Sequence, residues 1–304
     1  MKRLFVINPN AGAGMGPRAI ERLERYFRGR ANSFEAVVST SREDVIFQTR
    51  QALRQGVEQI VAVGGDGTVN AVANGFFEKE ELVHPDACLA VAKTGSGSDY
   101  FRGLTRSAGH DWREIVLDSS IRRVDAAQLK VGGQPEPIYF VNMATFGMSA
   151  EVCQRKATMS KHWPTSLRYL LPTVQGLFRT PQSNVRITAD GQTLERHAIC
   201  IMVAKGAYSG GGMLFGKNVA LDDGRFEVTL FRPLPVWQML LKTPKLYSGE
   251  LENEPSIEKL TARRIDIDAF PPLLGEIDGD VIGNASVSMS VVAQRLPVCF
   301  PPGE

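Results

Sequence analysis

Gln59-Ile60-Val61-Ala62-Val63-Gly64-Gly65-Asp66-Gly67-Thr68-Val69-Asn70 is the stretch whose reading decides the fold. The apolar run Gln59–Val63 ends on glycines, and Val69, Val72, Ala73 and Phe76 then recur at helical spacing. A short apolar run bounded by turn residues reads as a buried strand, and the change of period as a helix beginning at Thr68. Between the two, glycines let the backbone approach an anion without side-chain obstruction. N–H groups at the helix start would face that anion. Asp66 adds a carboxylate, and Thr68 and Asn70 add neutral hydrogen-bonding groups. The plainer reading is a tight strand–helix turn with an aspartate cap.

The same unit repeats on either side. Leu4–Ile7 is a buried-strand run that breaks at Asn8-Pro9, and a glycine-rich turn (Ala11 to Gly16) leads to Pro17 at a helix start. Phe34–Val38 is a second strand. Thr40-Ser41 followed by Glu43-Asp44 suits a helix cap with an acidic first turn, and Gly56 stops that helix after Arg54. Cys88–Ala92 is the next strand, and it too ends in a glycine loop, Lys93-Thr94-Gly95-Ser96-Gly97-Ser98-Asp99. Repeated strand–loop–helix units signal an open α/β sheet, whose ligands sit beyond the carboxyl ends of the strands. Both glycine loops fall at such ends, so they should meet at one cleft.

After about Val124 the pattern becomes mainly β. Tyr139–Met143, Val185–Ala189, Ile199–Ala204, Phe226–Phe231, Arg264–Ile267 and Val287–Ala293 read as strands, with turns at Asp190-Gly191 and Asp223-Gly224. A helical insertion is expected around Ser166–Phe178. This half reads as a second, antiparallel domain.

With 304 residues, 43% hydrophobic and 22% charged, the chain has globular composition and room for two domains. A formal net charge of +2 leaves no nucleic-acid footprint. Cys88, Cys153, Cys200 and Cys299 are too scattered for a zinc knuckle or redox motif and suit free thiols in a reducing compartment. The N-terminal apolar run is too short for a secretory signal. No apolar run reaches the ~18 residues of a spanning helix. A cytoplasmic protein is expected, with peripheral contact at the inner membrane face left open. The P-loop pattern G-x-x-x-x-G-K-S/T, the dinucleotide pattern G-x-G-x-x-G at the first turn and the protein-kinase H-R-D and D-F-G triplets are missing.

Six blocks follow one another: Asn8-Pro9-Asn10-Ala11-Gly12, Gly64–Asn70, Lys93–Arg102, Asn142 to Gly147, Asp222-Asp223-Gly224 and Asp278-Gly279-Asp280. In that order, over nearly the whole chain, they resemble the diacylglycerol-kinase catalytic-domain family, which includes bacterial lipid kinases, eukaryotic diacylglycerol kinases, and sphingosine and ceramide kinases. The resemblance implies an α/β N-terminal domain similar to that of NAD kinase and phosphofructokinase. A mainly antiparallel β-sandwich domain follows, with the active site in the interdomain cleft. On this sequence the nucleotide-binding domain would be 1–126, with 291–304 returning to it, and the lipid or acceptor domain 127–290.

The resemblance further implies ATP and Mg2+ as cofactors and phosphoryl transfer to the hydroxyl of a lipid or small hydrophobic alcohol. Carried onto this chain, Gly64, Gly65, Gly67, Thr68, Asn70, Lys93, Gly95, Ser96, Gly97 and Asp99 serve the nucleotide, and Asn8 closes the far side. Asp66 organises the catalytic magnesium, Asp280 accepts the proton of the acceptor hydroxyl, and Asp278 orients the site. Asp222 and Asp223 belong to a structural magnesium site, or else to a hairpin turn. The chain departs from the family pattern at Ala71, Lys93, Ser98 and Asp280, where Glu, Pro, Asn and Glu are usual. An NAD kinase-like enzyme and a catalytically weak nucleotide- or lipid-binding regulator are the alternatives. The basic interval holding Arg155, Lys156, Lys161 and His162-Trp163, with the apolar run from Leu167 to Phe178, reads either as a membrane-facing lipid site or as an ordinary packed helix. A homo-oligomer stays open.

Overall fold

The computed structural model describes residues 1–9, 16–29, 34–94, 98–105, 110–132, 136–159, 176, 182–216, 219–250, 254–284 and 286–302. Gly95, Ser96 and Gly97, the turn 10–15, and the insertion expected at Ser166–Phe178 apart from Gly176 lie outside the described residues, as do Lys161, His162 and Trp163.

The N-terminal half alternates strand and helix: β1 (Arg3–Ile7), α1 (Gly16–Phe27), β2 (Phe34–Val38), α2 (Arg42–Arg54), β3 (Gln59–Gly64), α3 (Asp66–Phe76), a small ladder of β4 (Phe77–Glu78) and β5 (Glu81–Leu82), then β6 (Cys88–Lys93), α4 (Asp99–Thr105) and α5 (Trp112–Leu117). β2, β1, β3 and β6 are parallel neighbours in that order. β1 and β3 are buried along their whole length, which is why they read as continuous apolar runs rather than alternating ones. α2 starts as its cap residues predict, the Ser41 hydroxyl accepting the Asp44 N–H at 3.1 Å. α3 starts at Asp66 rather than Thr68, because the Gly65 carbonyl already accepts the Val69 N–H, at 3.1 Å.

The second half runs β7 (Ser120–Val131), β8 (Ile138–Phe140), β9 (Met143–Gly147), α6 (Met148–Thr158), β10 (Ser183–Ala189), β11 (Gln192–Ala198), β12 (Cys200–Ala204), the short pair β13 (Tyr208–Ser209) and β14 (Met213–Leu214), β15 (Phe226–Phe231), α7 (Val236–Ser248), β16 (Ile257–Ala262), β17 (Arg264–Phe270), β18 (Leu274–Ile277), β19 (Asp280–Asn284) and β20 (Val287–Phe300). One sheet is ordered β16-β15-β12-β9-β18-β19. It faces β10, β17, β20 and β7 across a core that includes Phe146, Ile201, Val228, Ile187, Ile267 and Met289. This is the α/β domain followed by an antiparallel sandwich that the sequence implies.

The last strand is longer than Val287–Ala293. β20 pairs with β17 through Val287–Ser290 and with β6 at Val298, while β7 lines its other edge. Met289 therefore enters the sandwich core, and Val298 and Phe300 enter the α/β core. Tyr139–Met143 is not one strand. Ile138–Phe140 pairs with β7, whereas Met143–Gly147 pairs with β12 and β18 in the other sheet. The break has a polar cause: the Val141 and Met143 N–H groups donate to the Asp278 carboxylate, at 3.2 and 2.7 Å. α7 was not legible, because Pro233, Pro235 and Pro244 read as breakers; Pro244 lies inside the helix.

Candidate active site

Five of the expected site residues, Asn8, Gly65, Gly67, Thr68 and Asp280, line one cleft. Asn8, Pro9, Ser39, Thr40, Ser41, Arg42, Gly65, Gly67, Thr68, Ala71 and Asp280 line a space of about 460 Å³. The turn after β3 and the turn between β18 and β19 form opposing walls. A methyl group placed on Gly67 would stand 3.6 Å from the Asp278 carbonyl oxygen and 3.8 Å from Asp280 Oδ1. At Gly65 such a methyl would meet open space, so this backbone is bare towards the cleft. Gly64 has a packing role: a Cβ there would lie 2.1 Å from Thr68 Oγ1. Asn8 reaches the same helix start, its side-chain amide donating to Thr68 Oγ1 at 3.1 Å.

Asp66 sits at the first turn of α3 and is aimed at a second helix start. Its two oxygens accept the N–H groups of Tyr100 and Asp99 at 3.0 and 3.1 Å, so one carboxylate fixes the N-terminus of α4 beside that of α3. Thr94 Oγ1 donates to the Gly64 carbonyl at 3.1 Å, a second tie between the loops. Asp99 is buried and accepts the Gly211 N–H at 2.7 Å; burial pushes its carboxyl above the ordinary range. Lys93 is exposed at the end of β6, in register with Gly64.

The turn between β18 and β19 brings acidic residues to the cleft wall. Asp278, at a φ of +47°, and Gly279, at +100°, reverse the chain so that three carboxylates come from five residues. Asp278 is buried. Asn70 Nδ2 donates to it at 2.9 Å, alongside the Val141 and Met143 N–H groups, so Asn70 here serves the carboxylate rather than the open cleft. Burial outweighs these donors and pushes Asp278 up to about 6. Glu276, absent from the sequence-based site, is also buried. It accepts the Thr145 hydroxyl at 2.6 Å and the Gly279 N–H, and burial pushes it up to about 7.

Asp280 points into the cleft. Burial raises its pKa, and the Arg42 guanidinium opposes that rise. Arg42 Nε lies 3.0 Å from Asp280 Oδ2, and Arg42 Nη2 donates to Asn70 Oδ1 at 2.8 Å. Arg42 thus joins Asp280 to the Asn70–Asp278 pair. Arg42 is absent from the sequence-based site, because its partners lie 28 and 238 residues away.

The other acidic turn is built differently. Asp222 pairs with Arg122 at 3.2 Å. Asp223 Oδ1 lies 3.0 Å from Lys205 Nζ, which also contacts Asp125 Oδ2 at 2.7 Å. The magnesium expected on Asp222 and Asp223 does not fit this arrangement, because an ammonium already stands among the oxygens. Among the described residues no three His, Cys, Asp or Glu side chains are placed to hold a metal ion by themselves.

Two family models match the chain. Residues 2–129 match the diacylglycerol kinase catalytic domain, and residues 142–300 match the YegS C-terminal NAD kinase beta sandwich-like domain. The chain belongs to the diacylglycerol kinase catalytic-domain family. The kinase is 23% identical to a diacylglycerol kinase of Bacillus subtilis over 93% of this chain and 91% of that one. It is 23% identical to a diacylglycerol kinase of Staphylococcus haemolyticus over 98% and 87%. A crystal structure of a diacylglycerol kinase from Bacillus anthracis superposes with a TM-score of 0.72 at 21% identity, covering 99% of this chain and 97% of that one; at this identity it supports the fold. The chain is thus an enzyme of the lipid-kinase class, and none of its described helices is long and apolar enough to cross a membrane.

Proposed function

We propose that the kinase moves the γ-phosphoryl group of ATP to the hydroxyl of a lipid, with Asp280 as the general base. The observation that carries this reading is the approach of the Asp280 carboxylate to Gly67, in a cleft that the bare backbone of Gly65 also lines. Phosphoryl transfer needs positioning and charge neutralisation more than covalent chemistry. The α3 start and its glycines suit phosphate oxygens. Asp280 stands beside them with its affinity for a proton raised by burial, as proton abstraction from an alcohol requires. Arg42 holds that carboxylate, one methylene shorter than the family's glutamate, in place. Residues 1–126 with 291–304 would carry the nucleotide, and 127–290 the acceptor.

Magnesium fits this cleft as a passenger of the nucleotide. Mg2+ is commonly held by one or two carboxylates together with substrate phosphates and waters, and Asp66 and Asp280 are the carboxylates within reach of the loop. When bound, the ion would neutralise phosphate charge.

A lipid acceptor is favoured by a second, apolar cavity of about 210 Å³, lined among others by Met148, Val152, Met202, Phe215, Met239 and Leu246. α6 connects it to the catalytic turn: Met148 and Val152 line the cavity, and Cys153 Sγ reaches the Gly279 carbonyl at 3.5 Å. α7 roofs it with Met239 and Leu246 while leaving Trp237, Leu240, Leu241 and Tyr247 exposed, an apolar outer face suited to a bilayer surface. The test is to offer ATP and magnesium with a diacylglycerol, a sphingoid base, glycerol or NAD. Transfer confined to chain-bearing acceptors is expected. Equal transfer to glycerol, or transfer to NAD alone, would overturn the lipid assignment.

A further inference from the structure

Lys205 follows β12 directly, and its side chain is wholly buried. Its Nζ lies 2.7 Å from Asp125 Oδ2, 3.0 Å from Asp223 Oδ1, 3.1 Å from the Ala220 carbonyl oxygen and 2.8 Å from the Arg225 carbonyl oxygen. Two carboxylates and two backbone carbonyls converging on one point are the donor set of a hard divalent cation. An ammonium offers three protons and one positive charge at the same place. Asp125 is buried too. Its oxygens also accept the Gly224 N–H and the Gln294 N–H, each at 2.8 Å. The cage therefore joins β7, the turn 220–225, and β20 between Val292 and Leu296, where its register against β7 shifts.

We propose that the Lys205 ammonium is the resident cation of this cage, a covalently attached replacement for a divalent ion, and that the turn 220–225 is metal-independent in this enzyme. A divalent cation and Lys205 Nζ exclude each other, since like charges at contact distance in a buried site repel strongly. An empty cage would leave the buried Asp125 carboxylate without its counter-charge and take a donor from two partly buried carbonyls. Lysine resolves both problems without an ion from solution. Any magnesium dependence of catalysis then arises at the nucleotide cleft alone.

The proposal predicts that shortening this side chain creates a metal site. Thermal unfolding of the nucleotide-free parent, Lys205→Asn and Lys205→Met would be followed in chelator and in millimolar magnesium or calcium. The parent transition should be the same in each. Lys205→Asn should unfold about 5–10 °C lower in chelator and recover much of the difference on adding divalent ion, bound by the four vacated oxygens. Lys205→Met should be destabilised without recovery, because its methyl group fills the space. A parent midpoint that rises with magnesium, with the rise abolished by Asp223→Asn, would overturn the proposal, and this readout decides even where Lys205→Asn fails to fold. A folded Lys205→Asn protein indifferent to divalent ions would overturn it equally. None of these readouts depends on kinase activity.

Discussion

Two acidic turns of this kinase carry nearly the same residues, Asp222-Asp223-Gly224 and Asp278-Gly279-Asp280, and do opposite things with them. At the first, each carboxylate has a cation of its own: Arg122 on Asp222 and Lys205 on Asp223, with Lys205 also on Asp125. At the second, Glu276, Asp278 and Asp280 crowd together with one guanidinium, Arg42, on Asp280. Glu276 and Asp278 are held by neutral donors, and their pKa values are pushed up to about 7 and about 6. Compensated charge builds structure. Charge left short of partners beside a cleft is poised to take a proton or meet a cation. Acidic residues at a turn do not by themselves distinguish the two cases; the side chains around them do.

The largest effect expected is at the uncompensated turn. Asp280→Asn keeps the size and the contact to Arg42 but removes the proposed base. Transfer should fall by roughly 10²–10⁴-fold with the unfolding midpoint little changed, as read by initial rates and thermal melts. At the compensated turn the pattern should invert. Lys205→Met leaves Asp125 buried without its cation and should cost about 3–5 kcal/mol of stability. Below its transition the variant should transfer phosphate at close to the parent rate, as denaturant titration beside the same assay would show.

Glu276→Gln sharpens the contrast through pH. Because the folded-state pKa of Glu276 lies above the unfolded value, its favourable contribution is complete below the unfolded pKa and is lost as pH rises through the folded pKa. Parent and variant should therefore be similarly stable near pH 4.5, the variant gaining steadily up to about pH 7 and reaching up to about 3 kcal/mol beyond it. A constant difference across that window would contradict the burial argument. The smallest stability effect is expected for Arg42→Ala. Its pair with Asp280 is partly exposed, so no more than about 1 kcal/mol should be lost. Its kcat should nevertheless drop, with Arg42→Lys recovering little, because one guanidinium reaches both Asp280 and Asn70.

Much of this was legible along the chain, and the gaps have physical causes. Continuous apolar runs such as Phe5–Ile7 and Ile60–Val63 identify doubly covered parallel strands, and the Ser41 cap fixes the start of α2. The glycine loop at Gly64–Thr68 and the turn at Asp278–Asp280 were recognisable as blocks, and folding brings them together. Arg42 and Glu276 were not recognisable: one is read locally as a helix start, the other as a polar residue in a strand, and both gain meaning from distant partners. Lys205 was hidden for the same reason. A lysine after a strand ordinarily reaches solvent, and only the convergence of Asp125, Ala220, Asp223 and Arg225 accounts for its burial.

The central claim is that the carboxylate facing the glycine loop performs the transfer. The most direct test is magnesium-dependent movement of label from γ-labelled ATP into extracted lipids by the parent and by Asp280→Asn, with ATP binding measured for both. A labelled lipid formed by the parent and not by the variant, at equal ATP affinity, is the predicted result. Equal labelling by both proteins, or none by a parent that binds ATP normally, would contradict it.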